Sequence, residues 1–339
     1  MSAKSIIIAL ATVMLTACAQ QTKEVPALKV EGVKLYQVGC DTPVAWHGIS
    51  FGWHNLWPRF YNKAAVTSLA KDWGCPIFRA AIGADTLHET EDNTGYIDNP
   101  ERALQCLYNV IDGAIENGAY VIVDWHSHVL HTEEAVEFFR TVATKYAGCP
   151  NVIYELFNEP VSREFETALD YGEPTHESLM AYWADLKEYA AAVIPVIEEA
   201  SGCNPLILMG CPRWDQAIGC AVEDPIDFYD NLMYTVHFYA ATHGQWLRDR
   251  SDAALQAGIP VFISECAACE ASGDGPIDPQ AWKEWVEWAD ARDITMLTWS
   301  ISDKKETCSM FTPEATSEGP WEDGVIKEWG RITREWLKK

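Results

Sequence analysis

The 339-residue sequence is short of positive charge, because 25 lysines and arginines stand against 50 acidic residues and the net charge is −25. This balance argues against nucleic acid and anionic surfaces as partners. No apolar run after the N-terminal segment is long enough to predict a membrane-spanning helix. No glycine-rich loop follows the first strand candidate, which disfavours a nucleotide site. Internal repeats and low-complexity segments are also missing. A neutral polymer as partner is compatible with all of these absences.

Zinc-binding cysteine patterns are missing as well. If Cys18 is set apart, ten cysteines remain, an even number that permits disulfides, although no spacing fixes their pairing. Cys266 and Cys269 form a single CxxC with no second pair, so the pattern predicts no zinc site. We expect these cysteines to be buried thiols or to form a local disulfide.

The N-terminus has the features of an export segment. Lys4 precedes an apolar run over residues 6–15, which has the length of a signal peptide core. Residues 15–18, LTAC, resemble the lipobox of bacterial lipoproteins, which implies cleavage before Cys18 and lipidation of its thiol. A plain secretory signal is the alternative. Ala19, rather than Asp, after the cysteine favours anchoring in the outer membrane under the usual sorting pattern.

The domain plan follows from this reading. We expect residues 1–17 to be a lipoprotein signal peptide, residues 18–30 to be a tether, and residues 31–339 to form one catalytic domain. About 310 residues fit in one barrel without a second core, so no accessory binding module is expected. We expect a monomer held at the outer membrane by its lipid.

Apolar strand candidates alternate with helix-period segments, which predicts parallel βα units. The eight strand candidates are residues 44–50, 76–81, 120–125, 152–157, 206–210, 233–238, 261–264 and 295–300. Asp278-Pro279 predicts a helix start, and the last helix is expected over about 325–337. The sequence therefore predicts an α/β fold, a (β/α)₈ TIM barrel.

Polar residues collect at the predicted C-terminal ends of six strands, where such barrels place their chemistry. Residues 152–160 read VIYELFNEP, an apolar run closed by Asn158, Glu159 and a proline that cannot continue a strand. Residues 260–265, PVFISE, repeat the design and end on Glu265. A solvated loop glutamate is the commoner fate of each residue alone. Two carboxylates at two strand ends of one barrel are the pair of catalytic groups that a glycosidase uses.

These motifs resemble glycoside hydrolase family 5, and most closely its bacterial endo-β-1,4-glucanases (cellulases). The motifs that carry the resemblance are Asn158-Glu159-Pro160, Asp124-Trp125-His126, Val236-His237-Phe238-Tyr239, Ser264-Glu265, and Trp299 with Ser302-Asp303-Lys304. The resemblance implies a retaining mechanism with Glu159 as acid/base and Glu265 as nucleophile. It implies that Arg79, His126, Asn158, His237 and Tyr239 complete the catalytic set. Substrate-binding residues would be Trp299, Lys304, Trp57 and His54. The implied substrate is a neutral β-glucan polysaccharide or oligosaccharide, and no cofactor or metal is implied.

The mechanism sets expectations for charge. Glu265 must be ionised to attack, and we expect Arg79 and Tyr239 to lower its pKa. Glu159 must start protonated, and we expect the negative charge of Glu265 to raise its pKa. Glu155, deeper on the same strand, is expected to be a paired structural carboxylate.

Three alternatives remain open. A mannanase or xylanase of the same clan would share the chemistry and differ in its loops. A glycan-binding lipoprotein could keep the barrel without catalysis, although both glutamates are present. A metal hydrolase could use His126, His128 and His131 with Asp124, but related metal barrels carry their His-x-His on strand one rather than strand three.

Overall fold

The computed structural model of the chain describes residues 25–87, 93–161 and 174–339. The strands run in chain order as follows: β1 (Leu28–Glu31), β2 (Lys34–Gln37), β3 (His47–Phe51), β4 (Ile77–Gly83), β5 (Tyr120–His126), β6 (Val152–Glu155), β7 (Ile207–Met209), β8 (Leu232–Thr235), β9 (Phe238–Tyr239), β10 (Val261–Ala267) and β11 (Met296–Ile301). The barrel strands are parallel, and β11 pairs with both β10 and β3, which closes the sheet. The predicted (β/α)₈ barrel is confirmed.

Helices lie between the strands and on the outside of the barrel. They are α1 (Lys63–Asp72), α2 (Pro100–Asn117), α3 (Thr132–Lys145), α4 (His176–Ser201), α5 (Gly219–Glu223), α6 (Gln245–Gln256), α7 (Pro279–Asp290) and α8 (Glu328–Trp336). Side chains of Asn62, Asn99 and Asp278 accept backbone N–H groups at the starts of α1, α2 and α7, and a cap of this kind typically contributes about 1 kcal/mol. The predicted start at Asp278-Pro279 is confirmed. No helix within the described ranges combines the length and apolar character needed to cross a bilayer.

A hairpin that sequence reasoning missed covers the N-terminal end of the barrel. Strands β1 and β2 pair antiparallel, and Leu28 and Leu35 pack against the apolar side chains at the strand starts. Asn231 fixes the hairpin by accepting from Val30 N (2.9 Å) and donating to Leu28 O (3.1 Å). The tether expected over residues 18–30 therefore overlaps the folded domain, because β1 begins at Leu28. The expected signal peptide, Cys18 and most of the tether lie outside the described residues.

The opposite end of the barrel is shaped by a bulge in β10. The register of β10 against β8 and β9 shifts by one residue between Phe262 and Cys266, and its register against β11 shifts in the same interval. Successive side chains of a regular strand point to opposite faces. The bulge lets Ser264 and Glu265, which are neighbours in sequence, both face the barrel interior. The predicted strand 233–238 is interrupted in the same region and continues as β9.

Candidate active site

Arg79 on β4 is the centre of a buried ion network at the C-terminal end of the barrel. Its Nε and Nη2 donate to the two oxygens of Glu155 at 2.7 and 3.1 Å, and its Nη1 donates to Glu265 Oε2 at 2.9 Å. Nη2 also contacts Asp124 Oδ2 at 3.0 Å and Asn158 Oδ1 at 2.7 Å. Arg79 is fully buried, so its charge is balanced by these acids rather than by water. Glu155 is thus a paired structural carboxylate, as expected, and its pKa falls to about 2 because Arg79 and His237 outweigh its burial.

Glu265 lies on the bulge of β10 with two donors on its carboxylate. Arg79 binds one oxygen, and the Tyr239 hydroxyl donates to the other at 2.7 Å. Burial and the neighbouring charge of Glu159 nevertheless raise the pKa of Glu265, against the opposing effects of His237, Arg79 and Tyr239. The expectation of a lowered pKa was therefore wrong in direction, because sequence reasoning counted the donors and left out the desolvation of a nearly inaccessible carboxyl group.

Glu159 follows β6 in a left-handed backbone conformation with φ of 45°, a geometry that is uncommon for residues other than glycine and is often found at functional sites. Its Oε1 contacts His237 Nδ1 at 3.1 Å. Burial raises the pKa of Glu159, but His237 outweighs burial and the net shift is downward. The expected upward shift was wrong because the sequence did not show that His237 pairs with this glutamate.

His237 supplies the positive charge that sequence reasoning underestimated. Its Nδ1 faces Glu159, and its Nε2 lies 2.8 Å from Ser264 Oγ, which donates to Glu155 Oε1 at 2.8 Å. Burial lowers the pKa of the imidazole, but Asp215, Glu155 and Glu159 together raise it well above its usual value. The protonated ring then donates from both nitrogens.

Asp215 is a site residue that the sequence analysis missed. It is fully buried in the turn after β7, where Arg213, Trp214 and Asp215 itself have positive φ. Its Oδ2 accepts from the backbone N–H of Glu159 at 3.1 Å and lies 3.4 Å from His237 Nδ1. Burial, together with Glu159 and Glu155, raises the pKa of Asp215 to about 7, against the lowering effect of His237. No motif in the sequence marks this residue, because its position depends on a strained turn.

The histidines after β5 do not gather around one point, as the metal-hydrolase alternative requires. His126 Nδ1 pairs with Asp124 Oδ2 at 2.6 Å, whereas His131 Nε2 pairs with Asp85 Oδ1 at 2.7 Å. Burial, followed by the charge of Arg79, lowers the pKa of His126 well below its usual value, so the ring is neutral. It stacks on Trp299 with centroids 5.3 Å apart and rings 7° from parallel. His128 lies beside them and faces the backbone oxygen of Glu159.

One carboxylate oxygen of Glu159, one of Glu265 and a ring nitrogen of His237 all lie within 4.8 Å of one another, and no other group of this kind that could hold a metal occurs in the described ranges. His237 contacts Glu159 directly, whereas Glu265 is held by Arg79 and Tyr239. Glu159 and Glu265 form the floor of an open cleft of about 290 Å³ whose walls include Trp53, Trp57, Trp299, Lys304 and Glu306.

His54 is not in this cleft. It is fully buried, and its Nδ1 accepts the backbone N–H of Gly83 at 3.0 Å. Burial lowers its pKa to about 3, so it is a neutral structural ring. The expectation that His54 binds substrate was wrong, because the loop after β3 turns Trp53 and Trp57 toward the cleft instead. Glu306 lies in the cleft wall and pairs with Lys304.

A second cavity of about 480 Å³ lies beside the first at Glu159. It shares Glu159 and Tyr239 with the first and adds Arg213, Trp214, Gln216 and His243. The sequence analysis did not identify the residues that this cavity adds. Glu159, Tyr239, Ala271 and Ser272 line both cavities, and we call the two cavities together the trough.

Comparisons with known proteins agree with this geometry. The family model described as cellulase (glycosyl hydrolase family 5) matches residues 38–305. Endoglucanase Z of Dickeya dadantii is 34% identical over 314 residues, which is 90% of this chain and 67% of that protein. Endoglucanase A of Evansella cellulosilytica is 32% identical over 302 residues, which is 88% of this chain and 57% of that protein.

Among solved structures, the catalytic domain of a Thermobifida fusca endoglucanase in complex with cellotetraose superposes with a TM-score of 0.77 at 27% identity. The match covers 92% of this chain and 97% of that one. The curated relatives are longer than the region they share with this chain, which spans between 57% and 67% of the two described above.

Proposed function

This chain belongs to glycosyl hydrolase family 5, the cellulase family, and we propose that it is a retaining endo-β-1,4-glucanase that cuts internal bonds of β-glucan. The observation that carries the proposal is the approach of the Glu159 and Glu265 carboxylates to within 4.8 Å at the floor of the trough. Carboxyl groups about 5–5.5 Å apart suit direct attack on the sugar, whereas inverting enzymes leave about 6.5–9.5 Å for a water molecule.

In the first step, a Glu265 oxygen attacks the anomeric carbon while the bond to the leaving sugar oxygen breaks. Arg79 and Tyr239 hold the two carboxylate oxygens and fix the direction of attack. Arg79 also donates to Asn158 Oδ1 and so orients this side chain. The amide N–H₂ of Asn158 is then the group available to the sugar 2-hydroxyl. A contact of this kind strengthens as positive charge develops on the sugar ring.

The proton for the leaving oxygen is carried by Glu159 and His237 as a pair. In the site without substrate, the pKa of Glu159 is lowered and the pKa of His237 is raised, which favours the proton on His237. The 3.1 Å contact between His237 Nδ1 and Glu159 Oε1 allows it to move to the carboxylate, so Glu159 can deliver it when the leaving oxygen arrives. Titration therefore belongs to the pair rather than to either residue alone. In the second step, Glu159 takes a proton from water as the water oxygen attacks the anomeric carbon and releases Glu265.

The trough supports cleavage inside a chain rather than at its end. Trp57, Trp299 and Lys304 line the first cavity, and Trp214 and His243 line the second, with Glu159 in both. Flat indole faces suit the C–H groups of pyranose rings, so each cavity offers a platform for sugar units of one chain.

A substrate panel tests the proposal. We expect reducing-sugar release from β-glucan and carboxymethylcellulose, with viscosity falling early because internal bonds are cut. Mannan and xylan are expected to react much more slowly, and Glu265→Gln protein serves as the blank. Activity on mannan or xylan alone would assign the chain to that alternative. Binding of glucan with no cleavage of an activated aryl cellobioside would identify a non-catalytic glycan-binding protein.

We expect Asp215 to set the alkaline limit of activity. Because the pKa of Asp215 is raised to about 7, its carboxyl group is mostly neutral below pH 7 and negative above it. Only the negative form helps His237 and Glu159 to keep their proton. Asp215→Asn should therefore move the alkaline limb of the kcat/KM profile to lower pH and leave the acidic limb in place.

The measurement needs a check on folding. An asparagine would turn an amide N–H₂ toward the backbone N–H of Glu159 or Cys211, at a cost of about 1–3 kcal/mol, so Tm is recorded with each profile. Asp224→Asn is the control, because this exposed residue pairs with Lys187 outside the site. A variant whose acidic limb moves instead would show that Asp215 does not act through the Glu159–His237 pair.

We also propose that the chain is an exported lipoprotein anchored through Cys18 at the outer membrane. The support is the lipobox-like LTAC after an apolar run of signal-peptide length. Wild-type protein should fractionate with outer membranes and carry a lipidated N-terminal peptide, and Cys18→Ser protein should not. Unlipidated wild-type protein in the soluble fraction would rule out the anchor.

A further inference from the structure

Two loops form one wall of the cleft and carry a pair of cysteines that the proposed chemistry does not use. The β10 loop (residues 268–278) contributes Ala271, Ser272 and Gly273 to the lining, and the β11 loop (residues 302–311) contributes Lys304, Glu306 and Cys308. Cys269 and Cys308 are each 1% exposed, and their thiols are hydrogen-bond partners. The two loops are 39 residues apart along the chain at these cysteines, so only the fold brings the sulfurs together.

The loops are already held in register around this pair. The Cys308 N–H donates to Gly273 O at 2.9 Å, and the Thr307 hydroxyl lies 3.0 Å from Asp274 Oδ1 and 2.6 Å from Gly275 O. These bonds keep the two backbones side by side without any covalent link.

Cys266, the first cysteine of the CxxC motif, contacts a different partner. The Cys266 thiol is fully buried on β10 and donates to Leu297 O at 3.2 Å, on the neighbouring strand β11. The sequence left a local bridge within the CxxC open, but the structure brings Cys269 to Cys308 instead.

We propose that Cys269 and Cys308 form a disulfide that fastens the β10 loop to the β11 loop and fixes that wall of the cleft. Disulfides persist in oxidising compartments, which is where the proposed export would place the chain. The bridge itself is independent of the proposed activity, because neither cysteine takes part in the chemistry.

A low-molecular-weight disulfide such as oxidised glutathione can supply the oxidation. The Cys269 sulfur loses its proton and attacks one glutathione sulfur, which releases the other glutathione as a thiolate that takes up a proton. Cys308 then loses its proton and attacks the Cys269 sulfur, which releases the second glutathione. The protein loses two electrons, and one glutathione disulfide becomes two thiols. The hydrogen bond with Cys269, and then burial, raise the pKa of Cys308 well above its usual value.

Peptide mapping without reductant tests the connection on the whole chain. Trypsin cleavage after Arg250, Lys283, Lys305 and Lys327 yields peptides 251–283 and 306–327. After treatment with oxidised glutathione and alkylation, these two peptides should be found as one linked species in the wild type and in Cys266→Ser. They should be separate in Cys269→Ser and in Cys308→Ser. Loss of the link in Cys266→Ser, or alkylation of both cysteines in the oxidised wild type, would overturn the proposal.

The mechanical role is tested on unmutated protein. Reduction of the bridged wild type should lower Tm by roughly 4–8 °C, the shift that corresponds to a typical disulfide in a chain of this size. It should also raise KM for cello-oligosaccharides more than it lowers kcat, because the wall contacts substrate and leaves the glutamates in place. Cys269→Ser should show neither response to reductant. If the Tm and KM of the linked protein do not respond to reduction, the bridge does not stabilise the two loops, and the proposed role is wrong.

Discussion

Glu265→Gln is expected to reduce turnover by on the order of 10⁴-fold or more, the scale reached when a hydrolase loses its nucleophile or the nucleophile's partner. An amide cannot form the glycosyl ester, so no covalent intermediate can accumulate. The loss should be the same for natural glucan and for an activated aryl cellobioside, because both need the same attacking atom. The fold should persist, since the glutamine amide oxygen can accept from Arg79 and its N–H₂ can donate to the Tyr239 oxygen, in place of the two bonds that hold the carboxylate.

Trapping with a 2-fluoro aryl cellobioside checks which residue attacks. The label should lie on peptide 251–283 of the wild type and be absent from Glu265→Gln protein. Glu270→Gln is the matched control, because this exposed glutamate lies on the same peptide, in the loop that follows β10, and should keep both label and activity. A label on the peptide that carries Glu159 would reverse the two roles.

The sequence was sufficient for the barrel and for most residues of the site, for a physical reason. Parallel strands buried on both faces are continuous apolar runs, and these runs end where the polar residues begin. Because all eight strands point the same way, Arg79, Glu159 and Glu265 must meet at one end of the barrel. This inference needs only the period of the pattern and the direction of the chain.

Features that depend on three-dimensional detail could not be read in this way. The hairpin of β1 and β2 is four residues on each side, too short for its alternation to be distinguished from a tether. Asp215 reaches the site through a turn with three consecutive positive φ values. The one-residue bulge that aligns Ser264 with Glu265 has no sequence mark either, because it is defined by the pairing of three strands.

The directions of the two glutamate pKa shifts also depend on three-dimensional detail and were predicted wrongly from the sequence. Sequence reasoning placed the donors correctly around Glu265 but treated them as the whole environment. In the structure, burial and the mutual repulsion of two carboxylates compete with those donors, and His237 turns toward Glu159. Burial, the second carboxylate and the position of the His237 imidazole together set the directions of the two glutamate pKa shifts.

Glu159→Gln is expected to slow the hydrolysis of natural glucan by roughly 10²–10⁴-fold, the usual contribution of general acid catalysis. A glutamine at this position cannot pass on the proton that His237 holds at 3.1 Å from the carboxylate. An aryl cellobioside with a good leaving group does not need that proton, so its first step should lose much less. Its second step still lacks a base for water, and the glycosyl-enzyme should therefore accumulate as a rapid burst of phenol.

Azide makes the assignment sharper, because this anion needs no general base. It should react with the accumulated intermediate of Glu159→Gln, restore turnover of the aryl cellobioside and give the β-glycosyl azide, since two inversions at one carbon retain configuration. Glu177→Gln, an exposed substitution in the first turn of α4, should behave as wild type and give no azide product in excess. An α-glycosyl azide from Glu159→Gln would mean that azide had replaced the nucleophile itself, and residue 159 rather than 265 would then be the attacking group.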